Sequence, residues 1–187
     1  MANKNAPFGL KPIGKVGQNR DNQGLSEYDI AASATAIYFQ DPVEMAATGT
    51  ITVAAATDTL LGSLTGVFFT DANTSKPTFA NHLDASNAAT DIKGFVADDP
   101  YERFEVQADG ATAAADVGLN ADIVYAAGSS PDYVSKVELQ TSDQKTGTAQ
   151  LRILGISKDP DNNTAGSANV NLVVMINEHF LKGTTGI

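Results

Sequence analysis

Apolar and polar positions alternate with a period of two along much of this chain. The clearest case is 169–177, where Val170, Leu172, Val174 and Ile176 fall on one face and Asn169, Asn171, Val173, Met175 and Asn177 on the other. Residues 148–157 place Ala149, Leu151 and Ile153 together, until Gly155 interrupts the alternation and marks a candidate bulge. Residues 134–140 place Val137 and Leu139 together. Further strand-like runs cover 27–31, 36–40, 50–54, 66–70, 92–97, 103–107 and 122–126. Between them lie turn signals such as Asp71-Ala-Asn-Thr, Asp98-Asp99-Pro100-Tyr101, Gly128-Ser-Ser-Pro-Asp, Ser142-Asp-Gln-Lys-Thr-Gly and Asp159-Pro-Asp-Asn-Asn. Helical patterning is confined to short stretches at 111–117 and 81–89, and 57–66 and 70–89 read as long loops. The spacing predicts an all-β sandwich or barrel-like body of short antiparallel strands, with one or two short helices.

Residues 1–24 follow a different pattern. Pro7 and Pro12 oppose helix, and Gly9, Gly14, Gly17 and Gly24 loosen the backbone. Phe8, Leu10, Ile13 and Val16 nevertheless give the segment apolar character. It is expected to be an extended arm outside the core of the body at 25–187, and twenty extended residues span about 66 Å. A subdivision of the body is expected, if anywhere, near 109–118, a polar, Ala-rich stretch between two groups of strands.

Charge sharpens the contrast. The chain has 187 residues and a net charge of −10. Lys4, Lys11, Lys15 and Arg20 give the first twenty residues +4, which leaves −14 for the rest. An acidic body argues against nucleic acid and anionic membrane as partners, because phosphate binding needs clustered Lys or Arg. A basic arm, by contrast, suits an acidic partner surface. The start of the chain has no apolar h-region, so export by the general secretory route is not expected, and no run reaches the roughly 18 apolar residues of a membrane span.

Little in the sequence points to covalent chemistry. Cysteine is absent, which removes disulfides and thiolate sites. The two histidines, His82 and His179, have no second histidine at metal-ligand spacing and read as turn or surface residues. Gly62-Ser-Leu-Thr-Gly66 lacks the lysine and the spacing of a phosphate-binding loop. Asp159-Pro-Asp161-Asn-Asn163 imitates the start of a calcium loop, but Thr164 stands where glycine is needed and Val170 where glutamate is needed. The acidic run at 98–102 reads as a solvated turn. The Asn73 and Asn162 sequons are chance matches without a secretory signal. No enzymatic activity, metal or cofactor is expected.

Residues 92–109, Ile-Lys-Gly-Phe-Val-Ala-Asp-Asp-Pro-Tyr-Glu-Arg-Phe-Glu-Val-Gln-Ala-Asp, resemble the central segment of small head proteins of tailed bacteriophages. Asn5-Ala-Pro-Phe-Gly-Leu-Lys-Pro-Ile is similar to their start, and Leu151-Arg-Ile-Leu-Gly-Ile-Ser-Lys-Asp-Pro-Asp-Asn with Val173-Val-Met-Ile-Asn-Glu-His179 to their close. The resemblance implies a capsid decoration (cement) protein of the virion exterior, made in the bacterial cytoplasm, β-rich and trimeric. Its partners would be the major capsid protein and itself. In such a role Phe8, Leu10 and Ile13 would anchor the arm, Pro12 would keep it extended, and Lys4, Lys11 and Lys15 would steer it to acidic capsid patches. Removing residues 2–20 is then expected to leave a folded body. Other readings are a head fibre, a tail-tube subunit or a carbohydrate-binding module, the last weakened by the absence of Trp.

Overall fold

A computed structural model describes residues 2–17 and 24–183. The strands are β1 (Lys11–Lys15), β2 (Ser26–Asp29), β3 (Pro42–Met45), β4 (Ile51–Val53), β5 (Leu60–Thr70), β6 (Pro77–Ala80) and β7 (Lys93–Ala97). They continue with β8 (Glu102–Gln107), β9 (Asn120–Ala121), β10 (Ile123–Val124), β11 (Glu138–Leu139), β12 (Leu151–Ile156) and β13 (Asn171–Ile176). Among the described residues, helix is limited to single 3-10 turns at Ala114–Asp116, Thr141–Asp143 and Phe180–Lys182. The protein is all-β, its antiparallel sheets forming a sandwich-like body.

One sheet runs β2-β7-β5-β3-β4, with β6 pairing β5 beyond the end of β3. The other runs β1-β8-β13-β12-β9, and β10 and β11 form a separate ribbon. The chain passes from the first sheet to the second at the 98–101 turn, and 109–118 lies among the connections of the second. Beneath the second sheet, Phe104, Val106, Leu151, Ile153, Leu172, Val174 and Ile176 form one core. A second core, of Ile30, Ile37, Val43, Ile51, Leu61, Leu64, Val67, Leu83, Ile92 and Val96, lies under the first sheet. On the apolar face of 169–177, Val170, Leu172, Val174 and Ile176 are all buried, and Asn171 of the other face is buried as well.

The stretch at 57–66 is not a loop. It contains the first half of β5, the central strand, and Leu60, Leu61, Gly62, Ser63 and Leu64 are all buried. Leu60 joins the first core, while Leu61 and Leu64 join the second. A strand covered on both faces shows no alternation, which is why periodicity missed it. Gly62 is required there, because a Cβ would collide with the Ala97 carbonyl oxygen on β7. Of the two helix candidates, 111–117 keeps only a 3-10 turn, and 81–89 is turns and bends. Residues 36–40 make isolated bridges, Ile37 to Leu83 and Phe39 to Val134, rather than a strand.

The N-terminal segment corrects the expectation most. Through residue 17 it is part of the fold, not an arm outside the core. Leu10 is 0% exposed and packs in the core of the five-stranded sheet. Strand β1 pairs with β8, with Lys11 opposite Glu105 and Pro12 opposite Phe104. Leu10 also donates its amide to the Gln40 carbonyl at 2.9 Å and accepts from the Ser63 hydroxyl at 2.6 Å, which ties it to the other sheet. Gly9 has φ +77, and a Cβ there would meet Gln40 and Ser135. The prolines and glycines that suggested a free arm instead fit an edge strand: Pro12 is half-buried on the sheet margin and Gly14 sits at a bulge. Arg20 and residues 18–23 lie outside the described residues.

Candidate functional site

The seven residues expected to grip a partner are not free to do so in the way the sequence implied. Leu10 is buried within its own chain and unavailable. Lys4 Nζ lies 2.8 Å from Asp161, Lys11 Nζ 3.2 Å from Glu105 and Lys15 Nζ 2.6 Å from Asp99. The acidic surface that these lysines meet therefore includes the chain's own body. The hydrogen bond with Asp99 raises the Lys15 pKa, and the same contact lowers that of Asp99. Phe8 is half-buried, with the Lys11 ammonium 6.0 Å from its ring centre. Ile13, 38% exposed, is the one apolar residue of the three left facing solvent.

Before β1, the chain is held by side-chain amides instead of strand pairing. Asn162 accepts from the Lys4 amide at 2.7 Å and donates to the Lys4 carbonyl at 2.9 Å. Gln107, fully buried, accepts from the Ala6 amide at 2.8 Å and donates to Lys4 O at 3.0 Å. The calcium-like turn is used in the same network: Asp159 accepts from the Asp161 amide and from the Asn171 side chain. Its oxygens face internal donors, and among the described residues no three His, Cys, Asp or Glu side chains are grouped to hold a metal.

The outer edge of β1 is an unfavourable place to add a foreign strand. Pro12 removes a donor, the bulge between Pro12 and Gly14 breaks the register, and Lys11 and Lys15 flank it. These are the devices that protect sheet edges from pairing.

Two buried ionisable groups lie where the sheets meet. Asp41 is 0% exposed; its Oδ2 accepts from the Tyr38 amide at 2.8 Å, and the Ser135 hydroxyl lies beside the carboxyl. Burial pushes its pKa up to about 6, opposed in part by the Ser135 hydroxyl and the Tyr38 amide. His179 is 2% exposed, accepts from the Leu181 amide at Nδ1, and faces the Asp98 backbone. Burial, with help from Lys182, lowers its pKa to about 4 against the pull of Asp98 and Asp99. His82 is elsewhere, stacked on Tyr133 with ring centres 3.8 Å apart. Its ring nitrogens face Asn81 and Asp84, and no nucleophile adjoins it in this cluster.

The most distinctive surface is the outer face of the six-stranded sheet. Cross-strand register sets Asp29, Lys93, Phe68 and Phe79 in one row, and Glu27, Phe95 and Gly66 in the next. Phe79, on the edge strand β6, is 75% exposed. Its ring centre is 4.8 Å from that of Phe68 and 6.2 Å from that of Phe95, nearly parallel to the latter at 16°. Leu25, 49% exposed, closes one end of a shallow recess over Gly66, Val67 and Ala80, with Thr65 and Asn81 on its rim. The opposite face of these strands, with Tyr28, Val67 and Val96, is turned to the core. Phe79 falls within the stretch 70–89, whose sequence reads as a loop. The run Thr78-Phe79-Ala80 after Pro77 is too short to reveal pairing, and only the register with β5 brings three phenylalanines together.

Compared with known proteins, the chain matches no family model, no curated protein and no solved structure.

Proposed function

We propose that the protein is a structural component of a tailed-phage virion, a decoration protein that binds the outside of the head through contact with the major capsid protein. It acts by adhesion and makes or breaks no covalent bond. The sequence resemblance at 92–109 and at both ends of the chain motivates this reading. The single observation that carries it is the 75% exposure of Phe79 beside Phe68, Phe95 and Leu25. Contiguous apolar surface on a soluble fold marks an interaction site, and aromatic anchors supply most of the energy at such sites. Burying the exposed part of one phenylalanine contributes about 2 kcal/mol. Many copies on a shell add avidity, because each further contact forms at high effective concentration.

The N-terminal segment takes a different part in this reading from the one its composition suggested. It completes the five-stranded sheet and its core, and so supports the body that presents the aromatic face. The test is co-sedimentation with purified phage heads that lack the protein. Phe79→Ser is expected to weaken binding at least tenfold while the thermal midpoint stays within about 2 °C, since an exposed side chain contributes little to folding. Undiminished binding by Phe79→Ser sinks the assignment of this face.

A further inference from the structure

The aromatic face lies in an acidic part of the chain. Residues 24–97 hold eight acids and only two basic residues, Lys76 and Lys93, for a net charge of −6. Lys93 stands 3.3 Å from Glu27 and 2.7 Å from Asp29, so its charge is already matched. Glu27 is directly opposite Phe95, and Asp29 lies in the row that ends at Phe79. Glu27 and Asp29 keep 56% and 63% of their side-chain surface in solvent. The recess itself is apolar, about 370 Å³, and its floor lacks a side chain at Gly66. The recess opens between Phe79, Phe95 and Leu25, and Glu27 stands directly across from Phe95 on the neighbouring strand.

We infer that this face docks a cationic segment of the partner, with one large apolar or aromatic side chain seated over Gly66 and a neighbouring Lys or Arg answering Glu27 and Asp29. In an extended segment, residues two apart point the same way about 6.6 Å from each other, and Glu27 and Asp29 are themselves two apart on one strand. The same charges disfavour a second copy as occupant. A second copy placed on this face would bring a further pair of carboxylates towards Glu27 and Asp29, which already share Lys93. This inference rests on the reading of the aromatic face as the docking surface and specifies the chemistry it selects.

The chain has no Trp, so a tryptophan-bearing probe is read by fluorescence without background. The probes are a short peptide with one Trp flanked by lysines and its counterpart with glutamates in place of the lysines. The lysine peptide is expected to bind saturably with a blue shift, at least tenfold tighter than the glutamate peptide. Phe79→Ser removes that binding, and Glu27→Gln with Asp29→Asn erases the preference between the peptides. Equal affinity for the two peptides, no binding of either, or binding indifferent to Phe79→Ser overturns the inference. Binding of the lysine peptide by a protein that ignores phage heads upholds the inference and refutes the head-decoration reading. Binding of heads without a preference between the peptides refutes the inference alone.

Discussion

At the scale of single residues, Asp41 and His179 make opposite contributions to stability as pH changes. The Asp41 carboxyl, with its pKa raised to about 6, binds its proton more tightly in the folded state. Its contribution is full below the unfolded carboxylate pKa and is lost as pH rises through 6. His179, with its pKa lowered to about 4, is neutral in the fold and protonates more readily when unfolded. Its contribution is full above the ordinary imidazole pKa and is lost as pH falls through 4. Each shift corresponds to about 3 kcal/mol, so over pH 4 to 6.5 the two largely cancel. Single substitutions should unmask them. Asp41→Asn is expected to lose stability on acidification from pH 7 to pH 4, and His179→Asn to gain it, as measured by urea unfolding at the two pH values. Parallel pH profiles for the two variants would contradict this account. In the sequence His179 reads as a turn or surface residue, and nothing singles out Asp41. Their burial depends on packing between strands far apart in the chain, which no local pattern records.

At the scale of elements, β1 is where composition misled most. Leu10→Ala removes a fully buried side chain that packs in one sheet's core and hydrogen-bonds to the other sheet through its backbone. It is expected to cost about 3 kcal/mol in urea unfolding, against less than about 1 kcal/mol for Ile13→Ala three residues on, which is exposed. Similar losses for the two would return the segment to the status of an arm. Gly94 on β7 makes the same point from the inner face of the other sheet. A Cβ there would come within 2.8 Å of Ile51 and 3.0 Å of Ile30. Gly94→Ala is expected to destabilise by about 2 kcal/mol in the same assay. Strands with one covered face, such as β12 and β13, were legible from their period. Central β5 was half-hidden because both faces of its first half, through Leu64, are buried, and edge β1 because its prolines and glycines also suit a loop.

At the scale of the whole molecule, the two sheets share residues. Leu60 on β5 and Ala97 on β7 belong to the six-stranded sheet yet pack in the core of the five-stranded one. Leu60 bridges His179, and the N-terminal segment joins both sheets. Unfolding is therefore expected as one cooperative transition, with the slowest-exchanging amides of β5 and β13 reporting the same opening free energy by hydrogen exchange. Two distinct values would separate the chain into two units near the 98–101 turn. The sequence by itself determined the all-β class, most strand positions in the second half, the acidic balance of the body and the absence of cysteine chemistry. Each is a property of residue type or of a period-two pattern, both readable locally. Tertiary structure decided where the N-terminal segment lies, which ionisable groups are buried, and that half-buried Phe68 and Phe95 flank exposed Phe79 on one face. Those outcomes depend on the register between strands separated by tens of residues, which side-chain alternation within a strand leaves open.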